Sequence, residues 1–168
     1  MTGAAQGVQS RTTSRDEQAA AVLRTLELEA MLFGRQLEPA LRHTSDHDRL
    51  DRSAYALLTR LQVQGPMSIG ELSDAFSLDV STVNRQAGAV LHAGLVERIP
   101  DPDGGMARKF RLTTEGRRRL DDERESNLRG LALVVGSWTT EDVDALATLM
   151  RRLNLEIEDR RGRRWPRP

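Results

Sequence analysis

The 168-residue sequence predicts a mainly α-helical fold with one small β-hairpin. Apolar residues recur at steps of three and four over several stretches, and this spacing places them on one face of a helix. Two short stretches, 95–100 and 107–113, instead alternate apolar and polar residues, and the turn-forming segment 101–105 separates them. These patterns favour several helices arranged around a single hairpin.

The composition excludes several classes of protein. The chain has no cysteine, which excludes disulfides, thiolate zinc sites and sensing by thiol oxidation. No stretch approaches the ~20 apolar residues of a membrane helix or resembles a signal peptide, so we expect a cytoplasmic protein. Neither a glycine-rich phosphate loop nor a nucleophile elbow is present. We therefore predict no enzymatic activity, no cofactor and no metal site.

The N-terminal part predicts a tail, a long helix and a connector. Residues 1–14 are small and polar, which indicates a disordered tail. From Asp16 an apolar stripe predicts a helix that ends or kinks near Pro39. The stripe consists of Ala19, Leu23, Leu26, Ala30, Phe33 and Leu37. Residues 42–48 read as a polar connector, so we interpret His43 and His47, four apart, as solvated residues rather than as a zinc site.

Three short helices follow the connector. Asp51 is a candidate cap for a helix that Gly65-Pro66 ends. Ser68 and Glu71 have the spacing of a capping box for a helix over 70–76. After a tight joint, a further helix over 80–93 ends at Gly94. Two short helices joined in this way are typical of a helix-turn-helix.

The hairpin directly behind the helix-turn-helix predicts a winged helix-turn-helix, with the hairpin as the wing. Beyond the wing, Thr113 or Thr114 caps a long helix that runs to about residue 136, and Thr139 with Asp142 begins another. Residues 159–168 are basic and predict a frayed tail. The predicted organisation is thus a tail over 1–14, one domain over 15–158 and a basic tail over 159–168.

The terminal helices carry more apolar surface than a small winged domain over 50–113 can cover. Helices over 15–45 and 114–158 are therefore predicted to be dimerisation helices, since amphipathic helices gain most of their stability from packing. The alternative is that these helices cover each other within one chain.

Charge is segregated along the chain, although the formal net charge is zero. Residues 85–119 hold eight basic and four acidic side chains, and 151–168 hold seven and three. Residues 46–84 hold six acidic and three basic side chains, and 120–150 hold seven and two. One basic zone therefore coincides with the helix over 80–93 and the wing, as expected of a nucleic-acid-binding surface.

The order of these elements resembles the multiple antibiotic resistance regulator (MarR) family of bacterial repressors. The matching words are IGELSDAF, STVNRQAGAVLHAGLVERIPDP and RKFRLTTEGRRRL, and with the flanking helices they cover about residues 16–158. The resemblance implies that the helix over 80–93 lies in the major groove of DNA. Its polar residues Ser81, Thr82, Asn84, Arg85 and Gln86 are then placed to reach bases or phosphates.

Ser68, Arg98, Arg108 and Lys109 complete the predicted DNA-binding set. Because hairpin side chains alternate between faces, about half of the basic residues on the wing, which also include Arg111, face away from DNA. Many relatives carry an Asp and a minor-groove Arg at the wing tip, whereas this chain has Gly104-Gly105-Met106. Arg108 or Lys109 could replace that Arg, or the wing could contact phosphates alone.

The predicted function is a homodimeric, sequence-specific regulator of transcription that binds double-stranded DNA, with repression of a near-palindromic operator expected. The resemblance further implies release by a small aromatic or phenolic ligand, with Phe33, Tyr55 and Leu58 as pocket residues, although such residues more often belong to a core. The alternative is a non-specific architectural DNA-binding or protein-interaction module, which the neutral net charge favours.

Overall fold

The computed structural model describes the backbone of residues 3–41 and 49–167 and the side chains of 16–41 and 49–167. Within these residues it has six helices and three strands. The elements are α1 Gly3–Leu41, α2 Arg52–Gln64, β1 Met67–Ser68, α3 Ile69–Phe76, α4 Val80–His92, β2 Val96–Ile99, β3 Lys109–Leu112, α5 Thr114–Val134 and α6 Thr140–Arg161. The chain divides into one unit around α1 and a second unit that holds the other elements.

The first unit is a single helix of 39 residues. It begins at Gly3, so residues 3–14 are helical in the structure, in contrast to the disordered tail that the sequence predicted. The helix also continues for two residues beyond Pro39. The predicted connector 42–48, with His43 and His47, lies outside the described residues.

Side chains cap the helices of the second unit where the sequence predicted them. The Asp51 carboxylate accepts a hydrogen bond from the backbone N–H of Ala54 at 2.8 Å, and α2 begins there. Ser68 and Glu71 form the full capping box of α3. Thr113 and Thr139 cap α5 and α6. Asp79 occupies the capping position before α4, but its side chain makes no capping hydrogen bond.

The core of the second unit lies between the short helices, the sheet and α5. Its largest fully buried side chains include Phe110, Leu57, Leu58, Leu72 and Leu120, which come from β3, α2, α3 and α5. Burying each such side chain contributes roughly 1.5–3 kcal/mol of transfer free energy. This shared core holds the helix-turn-helix and the wing together as one body.

The sheet has three antiparallel strands in the order β1-β3-β2, rather than the two strands of the predicted hairpin. The additional strand β1 pairs Met67 with Phe110 and Ser68 with Lys109. Sequence patterns missed it because two residues are too few to show an alternation. The pairing joins the wing directly to the start of α3.

Gly116 allows the first turn of α5 to lie against the backbone of Gly94 and Leu95, the residues that connect α4 to β2. The backbone N–H of Thr113 donates to the Leu95 carbonyl at 3.1 Å, and the Thr113 hydroxyl donates to the Gly94 carbonyl at 2.8 Å. A Cβ atom at position 116 would collide with the same Leu95 carbonyl. Only glycine fits this close approach.

Within the second unit the C-terminal tail folds back onto α3, so the prediction of a frayed tail is wrong. Gly162, at φ +65°, ends α6 in the left-handed conformation. The Trp165 ring then lies 5.6 Å from the Phe76 ring, between centroids. Aromatic contact with α3 provides the packing that the basic composition of this segment did not suggest.

None of the helices in the described ranges is long and apolar enough to cross a membrane.

Candidate nucleic-acid interface

Helix α4 separates a buried face from a polar face. Val83, Ala87 and Val90 are buried against the core at steps of four and three. The intervening side chains of Ser81, Asn84 and Arg85 are exposed, and those of Thr82 and Gln86 are half-buried. The predicted contact residues of α4 therefore lie along one helix, and Ser81, Asn84 and Arg85 are exposed to solvent.

The joint between α3 and α4 fixes the direction of α4. Ser77 adopts φ 55° and ψ 41°, the left-handed conformation, and its N–H bonds to the carbonyls of α3. The Ser73 hydroxyl donates to the Leu78 carbonyl at 2.5 Å, which closes the turn from the other side. These local bonds hold α4 against α3 as a rigid helix-turn-helix.

Ser68 caps α3 through two hydrogen bonds with Glu71. Its hydroxyl accepts a hydrogen bond from the Glu71 N–H at 3.2 Å, and its own N–H donates to the Glu71 carboxylate at 2.6 Å. The second of these bonds is the main cause that lowers the pKa of Glu71. Ser68 is thus a capping residue, and its predicted role in DNA binding remains a prediction.

The wing presents one cation and one apolar side chain at its tip. Arg108 is exposed, and Met106 is fully exposed. Gly104, at φ +82°, forms the turn. Arg98 is exposed as well, with its guanidinium 5.2 Å from the centre of the Phe110 ring. Arg111 pairs with Glu97 at 2.8 Å across the β2–β3 ladder.

Lys109 points inward, in contrast to the prediction that it contacts DNA. Its side chain is buried, and its amino group lies 3.0 Å from Asp101, 3.3 Å from Asp103 and 3.6 Å from Glu71. The hydrogen bond to Asp101 is the main cause that raises the pKa of Lys109. The amino group is occupied in holding the wing to α3, and the predicted contact of Lys109 with DNA remains a prediction.

A cleft of about 300 Å³ lies between α5 and the chain just before α2. Its lining is charged rather than aromatic. The lining residues are Arg49, Arg118, Arg119, Asp122, Glu123, Glu125, Ser126 and Arg129. Among them, buried Glu123 accepts hydrogen bonds from Arg49 at 2.6 Å and from the Leu50 N–H at 3.2 Å.

The predicted ligand residues do not line this cleft. Leu58 is completely buried in the core, which makes it a packing residue rather than a pocket residue. Tyr55 is half-buried against the core, and Phe33, in α1, is 44% exposed. Sequence analysis missed the Arg49–Glu123 pair because 74 positions separate the two residues. The sequence signal for a buried Glu123 was its position three residues after the core residue Leu120, which places both side chains on the same face of α5.

No group of three or more metal-binding side chains occurs among the residues whose structure is described. The His43 and His47 pair falls outside them.

Comparison of the chain with known proteins identifies its family. The MarR family model matches residues 50–104. An uncharacterized HTH-type transcriptional regulator of Bacillus subtilis (strain 168), YxaD, is 33% identical over 110 residues, which are 66% of this chain and 77% of that protein. The chain belongs to the MarR family. It is therefore a member of a family of DNA-binding transcriptional regulators, not of enzymes.

Solved structures of MarR proteins share the fold. A MarR family protein from Bacillus stearothermophilus superposes with a TM-score of 0.66 at 23% identity, over 84% of this chain and 96% of its own. BpsR of Bordetella bronchiseptica, whose DNA binding is regulated by 6-hydroxynicotinic acid, gives a TM-score of 0.60 at 18% identity, over 77% and 98% of the two chains. The predicted mainly helical winged fold is thus confirmed.

Proposed function

We propose that this MarR family member is a homodimeric, sequence-specific repressor that inserts α4 into successive major grooves of a near-palindromic operator and leaves the operator when a small aromatic acid binds. The observation that carries the proposal is the division of α4 into a buried apolar face and an exposed face with Ser81, Asn84 and Arg85. Arg suits guanine and Asn suits adenine in the major groove.

Unpartnered apolar surface on the terminal helices supports the homodimer. Helix α6 has no buried residue, although its apolar residues follow one stripe. Exposed large apolar residues of α5, α6 and the turn between them are Leu128, Leu131, Leu133, Val134, Trp138, Val143, Leu146, Leu149, Leu153 and Ile157. A soluble monomer seldom exposes so many neighbouring apolar side chains. A two-fold dimer would bury them and set two α4 helices one DNA turn, about 34 Å, apart.

Chemistry and one fold relative support an aromatic acid as effector. BpsR is regulated by 6-hydroxynicotinic acid, which joins an aromatic ring to a carboxylate. Four arginines line the cleft beside α5, and three of them pair with its own carboxylates Glu123, Asp122 and Glu125. Guanidinium groups bind carboxylates in a bidentate manner, so a ligand carboxylate would exchange with one of these ion pairs. An effector lowers DNA affinity when it prefers a dimer whose α4 helices no longer match the groove spacing.

The first experiment selects binding sites from random duplexes with the purified protein. We expect one enriched near-palindrome, which the protein continues to prefer over unrelated duplex as salt rises. A non-specific architectural protein would instead lose affinity for all duplexes together. Enrichment of no sequence would contradict the proposal.

The second experiment adds effector candidates to the protein–operator complex. We expect 6-hydroxynicotinate or a benzoate to release operator DNA and to raise the melting temperature of the free protein. Cyclohexanecarboxylate, which keeps the charge and loses the aromatic ring, is the control. Transcription from a promoter that contains the site should fall when protein is added and recover with the effector; a rise on adding protein would contradict repression.

A further inference from the structure

The C-terminal tail, residues 162–167, is anchored on the helix-turn-helix. The Trp165 ring lies 5.6 Å from that of Phe76, the last residue of α3. On α2, the guanidinium of buried Arg60 lies 5.0 Å from the centre of the Trp165 ring. An aromatic ring in contact with both a second ring and a cation is restrained in position as well as in orientation.

Acidic residues of α6 neutralise two of the tail arginines. Glu158 accepts hydrogen bonds from Arg167 at 2.6 Å and from the Trp165 N–H at 3.2 Å. The bond from Arg167 is the main cause that lowers the pKa of Glu158. Arg164 pairs with Asp159 at 2.9 Å. These bonds keep the tail folded and leave Arg164 and Arg167 with their charges compensated.

Arg163 differs from Arg164 and Arg167 because its contact is with a neutral group. Its guanidinium donates to the hydroxyl of Ser77 in the joint between α3 and α4. Both side chains are exposed, and no described carboxylate lies within ion-pair distance of Arg163. The tail therefore delivers an uncompensated positive charge to the joint.

The joint lacks any positive charge of its own. Residues 65–84 include Glu71, Asp74 and Asp79 but no Arg or Lys. In helix-turn-helix proteins the first helix crosses the DNA backbone while the second enters the groove, so the joint between them lies beside phosphates. Asp74 and Asp79 are exposed there and would repel those phosphates.

We propose that the C-terminal tail is part of the DNA-binding surface and that Arg163 binds a backbone phosphate beside the α3–α4 joint. This contact rests on the proposed function, since it requires α4 to lie in the groove. It carries no sequence information, because every site presents the same phosphates. The tail thus supplies affinity that the acidic helix-turn-helix segment cannot.

The test compares Arg163→Ala with Arg164→Ala in DNA-binding titrations over a range of salt concentrations. Both variants lose one positive charge from adjacent positions, but only the first loses the proposed phosphate contact. We expect R163A to weaken binding roughly threefold to tenfold, by the same factor on the selected operator and on an unrelated duplex. The slope of log K against log salt should fall in magnitude by about 1 for each tail that contacts DNA, and R164A should keep the wild-type slope.

Two Trp165 variants test the anchor. Trp165→Ala releases the tail and should reproduce the R163A slope, whereas Trp165→Phe keeps a ring against Phe76 and should restore the wild-type slope. If W165A fails to fold, the R163A titration still tests the proposed phosphate contact, because R163A removes only one exposed side chain outside the core.

Three outcomes would overturn the assignment. Equal slopes for R163A and R164A would show that only net charge matters. A loss for R163A confined to the operator would show that the tail acts through base reading. A wild-type protein that binds no duplex would remove both this assignment and the proposed function, whereas wild-type binding with an unchanged R163A slope would remove this assignment alone.

Discussion

Arg85 and Met106 are both exposed in the proposed DNA-binding surface, but the two side chains differ in what they can offer DNA. Arg85 lies on the polar face of α4 and can donate two hydrogen bonds to one guanine. We expect Arg85→Ala to weaken operator binding by about 1–3 kcal/mol, or roughly 5- to 160-fold. Met106→Ala should change it by less than about threefold, since the wing tip then loses only an apolar group. Equal losses in a gel-shift titration would contradict this assignment.

Gly116 and Gly88 offer a matched pair of glycine-to-alanine substitutions. A methyl group at 116 collides with the Leu95 carbonyl, and neither backbone can move freely because Thr113 bonds the same carbonyl. We expect Gly116→Ala to lower the free energy of unfolding by roughly 1–3 kcal/mol.

Gly88→Ala should instead stabilise the protein by roughly 0.5–1 kcal/mol, since Gly88 lies inside α4 with no neighbouring atom within 4 Å. Urea denaturation of both variants measures the two effects. A destabilisation of similar size in both would show that the Leu95 contact is not the cause.

Lys109 illustrates what sequence reasoning cannot decide at this scale. Alternation along a strand predicts which residues share a face, but Lys109, Phe110 and Leu112 are all buried. The three carboxylates around Lys109 come from α3 and from the turn of the wing, so only the folded arrangement shows that the amine is occupied. The same holds for Arg163, whose partner Ser77 lies 86 positions away.

At the scale of elements, local signals predicted most of the fold. The caps at Asp51, Ser68, Thr113 and Thr139 follow from residues within three positions of each helix start, and the structure confirms them. Strand β1 and the folded tail escaped prediction because each depends on a partner far along the chain. The polar face of α4 was predictable from helical spacing alone, whereas the inward-facing cation of the wing was not.

The α2 cap makes stability depend on acid pH. Hydrogen bonds from the Ser53 side chain and the Ala54 N–H lower the pKa of Asp51 in the folded state. A lowered folded-state pKa contributes stability above the unfolded-state pKa, and this contribution is lost as pH falls through the folded-state value.

Asp51→Asn keeps a capping acceptor but does not titrate. We expect the stability difference between wild type and D51N to shrink as pH falls below about 4. Chemical denaturation at several pH values measures this difference, with Asp144→Asn, an exposed residue of α6, as the control. A pH-independent difference would argue against a titrating cap.

At the scale of the whole molecule, the apolar stripe of α6 determines the oligomeric state that we propose. Leu146 and Leu153 are 39% and 45% exposed. Replacing both with Glu should weaken the dimer at least about 100-fold, because burying each Leu is worth roughly 1.5–3 kcal/mol. The same variant should lose the operator, since one α4 helix reads only half of it.

Sedimentation velocity measures the oligomeric state, and Asn154→Glu, an exposed polar residue of α6, is the matched control. We expect N154E to remain dimeric. A double variant that sediments as the wild type does would place the interface elsewhere.

The inward-facing amine of the wing has a practical consequence. Lys109 is the sole lysine of the chain, so an acylating reagent finds one ε-amino group, and that group is shielded by three carboxylates. Its acylation rate then reports how often the wing detaches from α3, without any engineered probe. Comparing that rate in free protein, with DNA and with an aromatic acid would follow wing motion through the regulatory cycle.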